Sequence, residues 1–291
     1  MSILTPDELK QKIKSIKIWK KGDERAPHKP ILILYALGQL QSKGERQLNY
    51  EYVREDLTDL LDEFGPPRKK THPEQPFVRL TKDTIWELNK EVIDQNIRDS
   101  WLRKNQVIGR FNEETYSLLK NNNELIKEIA EILLEQYFPD TLHDDILMAV
   151  GLDFSSNYNK TRDPKFREKI LRAYERKCAV CGFNIRLKNK LVAVEAAHIK
   201  WHHYGGPDIE NNGVALCTMH HKLYDKGVFT IDESYKILVS EDAFGDIGFE
   251  EWLMRFHRNT IRVPIRTEYY PSKKYMNWHI REVFKDPARQ Y

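Results

Sequence analysis

The sequence predicts an α+β chain of two domains, helical in its N-terminal half and stapled by metal in its C-terminal half. Three observations carry this. Apolar positions at helical spacing dominate the first 64 residues, and two short β-like runs follow them. A polar stretch without periodicity, residues 155–160, separates the halves. Beyond it, Cys178-Ala179-Val180-Cys181 and Cys217-Thr218-Met219-His220 form two pairs at metal-ligand spacing.

Thr5-Pro6-Asp7-Glu8 starts the first helix: Thr5 caps, Pro6 suits the first turn and Glu8 closes a capping box. A second helix runs from about Pro30 through Ile31-Leu32-Ile33-Leu34 and is stopped by Gly44. Its apolar residues surround it, as expected of a core helix. A third covers about residues 50–64 and ends at Gly65-Pro66-Pro67. Two β-like runs, 77–80 and 84–88, then read as a hairpin turning at Thr81-Lys82-Asp83. Three helices and a hairpin resemble a winged-helix arrangement. A long amphipathic helix follows over 123–138, with Ile126, Ile129, Ile132, Leu133 and Tyr137 on one face. After the polar linker, a helix over 165–174 leads into Cys178.

Bulk properties narrow the class. Of the 291 residues, 40% are hydrophobic and 31% charged, a soluble globular composition. No apolar run approaches the ~18–20 residues of a membrane span. Residues 1–20 alternate apolar side chains with lysines and lack a signal-peptide core. Three cysteines, an odd count, argue against a disulfide framework. A reducing, cytoplasmic setting without membrane contact is expected. Residues 1–150 hold 23 basic against 26 acidic side chains, and the remainder 24 against 18. The C-terminal half is therefore the basic one, as suits a polyanion partner.

A Cys-x-x-Cys pair alone could be a redox pair. Followed by Cys-x-x-His, it becomes a tetrahedral Cys₃His set of soft ligands, Cys178, Cys181, Cys217 and His220, suited to structural Zn²⁺. On spacing alone, His221 is the alternative fourth ligand. A second set interleaves with the first: Glu195-Ala196-Ala197-His198-Ile199, Asn211-Asn212-Gly213, and His221-Lys222-Leu223-Tyr224-Asp225-Lys226-Gly227.

At these residues the chain resembles the HNH endonuclease family, over about 170–235. The resemblance implies a ββα-metal fold, a hairpin plus a helix around one divalent ion. His198 would be the general base. Asn212 would order the loop and orient His198. His221 would bind a catalytic Mg²⁺ or Mn²⁺, with Asp225, one helical turn on, as a second ligand. The family often carries a ligand directly before the base. Here that position is Ala197, and Glu195 is the candidate substitute. His202 and His203 fall outside the motif and read as loop or DNA-contact residues. The residue types suit phosphodiester hydrolysis: a near-neutral imidazole deprotonates water, and a hard cation stabilises charge on the phosphorus oxygens.

In the first half, Arg25-Ala26-Pro27-His28-Lys29-Pro30, then Pro76-Phe77-Val78-Arg79-Leu80, then Ile108-Gly109-Arg110-Phe111-Asn112 look like the sulfur-binding domain of restriction endonucleases. That family recognises phosphorothioated double-stranded DNA and couples to a C-terminal HNH domain. By this resemblance Pro76 and Phe77 would line an apolar sulfur pocket. His28, Lys29 and Arg103 or Arg110 would hold the phosphate and bases, with Arg25 and Arg79 as further basic groups. Arg79 stands where the family pocket carries a small apolar residue.

The expected organisation is a DNA-recognition domain over 1–122, a connecting helix and linker over 123–163, and an HNH domain over 164–291. The expected function is type IV restriction of phosphorothioated DNA, cutting near the modification, with a homodimer as one route to a double-strand break. Two other readings compete: an HNH enzyme that reads methylated bases or an unmodified sequence, and a non-catalytic zinc-containing DNA-binding regulator. The second leaves His198, Asn212 and His221 without a purpose.

Overall fold

The computed structural model describes residues 4–18, 22–152, 154 and 164–290. The linker expected over 155–160, and Trp19, Lys20 and Lys21 of the first basic run, lie outside these residues. The chain divides into two compact units, Met1–Ser156 and Asn157–Tyr291.

In the first unit, α1 (Pro6–Lys14) begins with the expected capping box. Thr5 Oγ1 accepts from the Glu8 amide, and Glu8 accepts from the Thr5 amide at 2.8 Å. Helix α2 (His28–Lys43) is buried from Pro30 to Leu40 and ends at Gly44, whose φ of 68° is the left-handed cap. Strand β1 (Leu48–Asn49) leads into α3 (Tyr50–Phe64), which Asn49 caps. The predicted strand over 77–80 is instead helical: α4 (Glu74–Arg79) runs into a 3-10 turn, Leu80–Asp83. Pro73 and Pro76 sit where a helix needs no amide donor. Phe77 is driven inward against Tyr50 and Trp86, with ring centroids 5.1 and 5.8 Å away. Tertiary packing of one aromatic thus overrides a β-like composition.

The second β-like run survives as β2 (Trp86–Leu88). After α5 (Asp99–Lys104) it pairs antiparallel not with its sequence neighbour but with β3 (Ile108–Phe111), Trp86 opposite Phe111. β1 pairs with the other edge of β3, giving the order β1-β3-β2. Gly109 is required there: a Cβ would meet Trp86 at 2.4 Å and Phe77 at 2.8 Å. Helix α6 (Glu113–Leu119) precedes α7 (Asn123–Tyr137) and α8 (Asp140–Val150). α7 buries Leu125, Ile126, Ile129, Ala130 and Leu133 and packs on α1 and α2. The segment expected as a connection therefore contributes α7 and α8 to the first unit.

In the second unit, α9 (Pro164–Ala173) precedes a small exposed hairpin, β4 (Ile185–Leu187) and β5 (Lys190–Val192). The central hairpin pairs β6 (Val194–His198) with β7 (Gly213–Cys217), and α10 (Thr218–Asp225) follows directly. This is the ββα order. Helix α9 packs across both strands. Gly213 permits its approach, since a Cβ there would lie 2.1 Å from Ile170 Cδ1. The pair β8 (Phe229–Ile231) and β9 (Ile237–Val239), then α11 (Ile247–Trp252) and α12 (Lys273–Glu282), complete the unit.

Candidate functional site

The Cys/His cluster is assembled from three places. Cys178 and Cys181 lie on the turn after α9, where the Gly182 amide returns to the Cys178 carbonyl. Cys217 ends β7, and His220 stands in the first turn of α10. Their ligand atoms all lie within 4.8 Å of one another. His220 Nδ1 is 3.1 Å from Cys217 Sγ, and its Nε2 donates to the Trp252 carbonyl at 2.8 Å. That second bond orients the ring and turns Nδ1 toward the thiols. Hydrogen bonds from the Cys181 and Cys217 thiols hold Cys178 well below the usual thiol range, toward the thiolate a metal needs. Three sulfurs and one nitrogen, buried and converging, fit a zinc ion.

His221, one residue on, points elsewhere. Its Nδ1 is 2.7 Å from Glu195 Oε2, and its Nε2 is 3.2 Å from Asp225 Oδ2. The helix turns about 100° per residue, which separates His220 from His221 and settles which of them faces the cysteines. Burial opposes a charge on His221, but Asp225 and Glu195 outweigh it and raise its pKa to about 9. Asp225 is itself held by the Trp201 indole at 3.1 Å. Glu195 and Ala197 share one face of β6 because strand side chains alternate. On that face the carboxylate that meets His221 is Glu195. Glu195, His221 and Asp225 offer mixed O/N donors, unlike the sulfur-rich cluster, and suit a harder divalent ion.

His198, the last residue of β6, donates or accepts through Nε2 with Asp208 Oδ1 at 2.7 Å. Its ring stacks on Phe166 of α9, centroids 4.0 Å apart and planes 10° from parallel. Burial pushes the His198 pKa down, against the pull of Asp208. Asn212 is fully buried. Its Oδ1 accepts from the Lys200 amide at 2.8 Å, and its Nδ2 donates to the Lys200 and Pro207 carbonyls at 2.9 and 3.0 Å. Asn212 thus fastens the loop behind His198, while the imidazole itself is held by Asp208 and Phe166. His202 lies beside His198, ring centroids 6.0 Å apart. Sequence reasoning missed Asp208, Phe166 and Trp201. Phe166 and Trp201 carried no motif, and Asp208 lies within a loop whose path only the fold determines.

The candidate DNA-reading residues are spread across the first unit. Arg25 is buried and donates to the Phe64 carbonyl at 2.6 Å. Burial, with Arg68, Arg25 and His72 adding repulsion, pushes the His28 pKa down to about 4. Lys29 is paired with Asp83 at 2.5 Å and also donates to the Lys17 carbonyl. Pro76 and Phe77 are buried residues of α4. Above them Arg79 is exposed and donates to Gln75 at 2.9 Å. Arg103 makes a forked contact with Glu51 at 2.7 and 3.1 Å, and Arg110 contacts Glu87 at 2.7 Å. A cavity of about 690 Å³ opens between α3 and the 70–75 segment, lined by Arg54, Lys70, His72 and Arg98 among others.

Comparisons with known proteins follow the same division. A search of curated proteins returned no match. Among solved structures, the sulfur-binding domain of SprMcrA complexed with phosphorothioated DNA is 22% identical, covering 51% of this chain and 94% of that one, with a TM-score of 0.45. The sulfur-binding and SRA domains of ScoMcrA complexed with phosphorothioated DNA are 19% identical, covering 65% and 68%, with a TM-score of 0.46. The type IV phosphorothioation-dependent restriction endonuclease ScoMcrA is 19% identical over 49% of this chain and 32% of its own, with a TM-score of 0.40. The HNH endonuclease family model matches residues 178–232. The ScoMcrA-like DNA sulfur-binding domain model matches residues 6–155, about half of the chain, so the chain belongs to that family and is a nuclease with a C-terminal HNH domain.

Proposed function

We propose that this protein is a type IV restriction endonuclease that recognises phosphorothioate-modified double-stranded DNA with its first unit and cuts nearby with its second. The observation that carries the reading is a half-buried His198, its pKa pushed down by desolvation, on the same ββα frame as the Glu195/His221/Asp225 donor set, beside a separate Cys₃His cluster.

His198 works as the base. With Asp208 ionised, Nε2 carries the proton and donates to it, which leaves Nδ1 to accept a proton from water. The water oxygen then bonds to phosphorus as the P–O3′ bond breaks. Asp208 stabilises the imidazolium that results, and the Phe166 ring restricts His198 to one plane. Asn212 keeps the 200–207 loop in place behind it. Glu195, His221 and Asp225 would hold Mg²⁺ or Mn²⁺, which when bound stabilises charge on the phosphate and the leaving oxygen. Cys178, Cys181, Cys217 and His220 would hold structural Zn²⁺.

The hairpin on which a winged-helix arrangement depended does not form, since residues 74–83 are helical, and the reader is instead the helical first unit with its three-stranded sheet. A non-bridging sulfur is poorly hydrated and favours an apolar patch, while cations hold the phosphate charge. Pro76 and Phe77, buried in α4, back the apolar side of that reader. Arg79, Arg103 and Arg110 reach solvent, while Arg25 and Lys29 brace the start of α2, where His28 is half-buried. One HNH site cuts one strand, so a double-strand break comes from a homodimer or from two nicks. The test is digestion of matched duplexes differing in a single sulfur, with Mg²⁺ and Mn²⁺. Cutting of the sulfur duplex alone is expected. Equal cutting of both sinks the reader assignment, and cutting of neither sinks the nuclease assignment.

A further inference from the structure

The catalytic hairpin has a basic cleft on its flank. Helix α9 presents Lys165, Lys169 and Arg172 at steps of four and three, all exposed and on one face. Across from them stand Arg266 and Tyr269, and together they line a cleft of about 650 Å³. Two carboxylates, Glu168 and Glu210, also line it. Glu168 is taken by Arg176 at 2.6 Å, while Arg172 stays 3.9 Å from it and its side chain is 75% exposed. Arg266 pairs with Glu268 at 3.3 Å with its side chain 64% exposed, so the four cations still outnumber the three carboxylates and reach solvent.

The cleft is built on the elements that hold the base. Phe166, next to Lys165 on α9, stacks on His198. Glu210 belongs to the 3-10 turn that ends in Asn212. From Lys165 to Arg172 the helix rises about 10 Å. That spans about three phosphates of one DNA strand, at roughly 3.4 Å of axial rise each.

We propose that the α9 cleft binds the DNA backbone flanking the cut site, with Lys165, Lys169, Arg172 and Arg266 on successive phosphates. This surface would fix the strand against His198 independently of the sulfur reader, and so set the distance between the modification and the cut. The inference rests on the nuclease reading above, and its partner is the same duplex, recognised through its phosphates and not its bases.

The test uses the full chain and a phosphorothioated duplex long enough to reach both units, with binding measured by anisotropy in EDTA across a salt series. The fourfold variant Lys165→Ala, Lys169→Ala, Arg172→Ala, Arg266→Ala should lower the slope of log affinity against log salt by roughly 2 to 4, at about 0.9 for each phosphate no longer neutralised. The single reversal Lys169→Glu should lower it by about 1 to 2. Nicking at physiological salt should fall roughly tenfold or more and recover at low salt. Lys273→Ala with Lys274→Ala, on the exposed start of α12, is the control. Slopes equal to wild type in both cleft variants overturn the proposal. If wild type cuts no DNA, the nuclease reading fails, and the salt slopes still decide the cleft.

Discussion

Replacing Asn212 with alanine removes three hydrogen bonds from a side chain that has no exposure. The groups left without it are the Lys200 amide, the Lys200 carbonyl and the Pro207 carbonyl. Water cannot readily replace the side chain, because the loop is closed tightly: a Cβ on Gly206 would lie 1.8 Å from the Lys200 carbonyl oxygen and 2.8 Å from Asn212 Nδ2. At about 1 to 1.5 kcal/mol for each hydrogen bond removed with a buried partner left unmatched, the change costs about 3 to 5 kcal/mol. For a domain of this size that lowers the melting temperature by roughly 10 to 15 °C. Asn212→Asp retains an acceptor for the Lys200 amide but turns a carboxylate oxygen toward two carbonyls, so it should fall at least as far. Calorimetry of the full chain, following the transition of the C-terminal unit, reads the shift, and plasmid nicking reads the activity. If Asn212 acted only on the His198 ring, nicking would fall while the melt stayed in place. A melt within about 2 °C of wild type for either variant refutes the loop-fastening argument.

Three further outcomes are expected. His198→Ala should reduce nicking about 10²- to 10⁴-fold with duplex affinity unchanged, and in wild type the rate should be flat above the ordinary imidazole range and fall in acid, since burial keeps His198 neutral; a rate that rises on acidification contradicts its role as base. His28 is half-buried and held uncharged, with its pKa near 4 against an ordinary 6.5, so its contribution is complete above pH 6.5 and is lost as pH falls toward 4, by up to about 3 kcal/mol. The urea midpoint should drop between pH 7 and 5 for wild type and less for His28→Gln, and parallel drops would show that other groups control the acid limb. Cys217→Ser should lose the zinc measured by elemental analysis and destabilise the C-terminal unit, and retention of zinc by the variant would contradict the four-ligand cluster.

What could be read from the chain depended on how locally each feature is encoded. The Thr5/Glu8 capping box, the buried α2 and the Gly44 stop depend on neighbours within a few residues, and they formed as the sequence indicated. The Cys/His pairs were legible because ligand chemistry and short spacing restrict the partners. The segment over 77–80 misled because its β-like residues are held helical by Tyr50 and Trp86, which are remote in sequence. Arg25 and Lys29 read as surface cations, yet long-range partners, the Phe64 carbonyl and Asp83, draw them inward. Neither the Phe166 stack nor the Asp208 contact with His198 had a local signature.

The sequence by itself determined which residue types are present for chemistry: a sulfur-rich ligand set, a candidate base and a mixed carboxylate/imidazole set, because those identities and spacings survive without a fold. Only the tertiary structure decided their allocation. Helix rotation sends His220 to the cysteines and His221 to Glu195 and Asp225. Strand alternation puts Glu195 on the face of β6 that meets His221. The close approach of α9, permitted by Gly213, brings Phe166 onto His198 and lays a row of cations beside it. Each of these depends on distances between segments that no local pattern specifies.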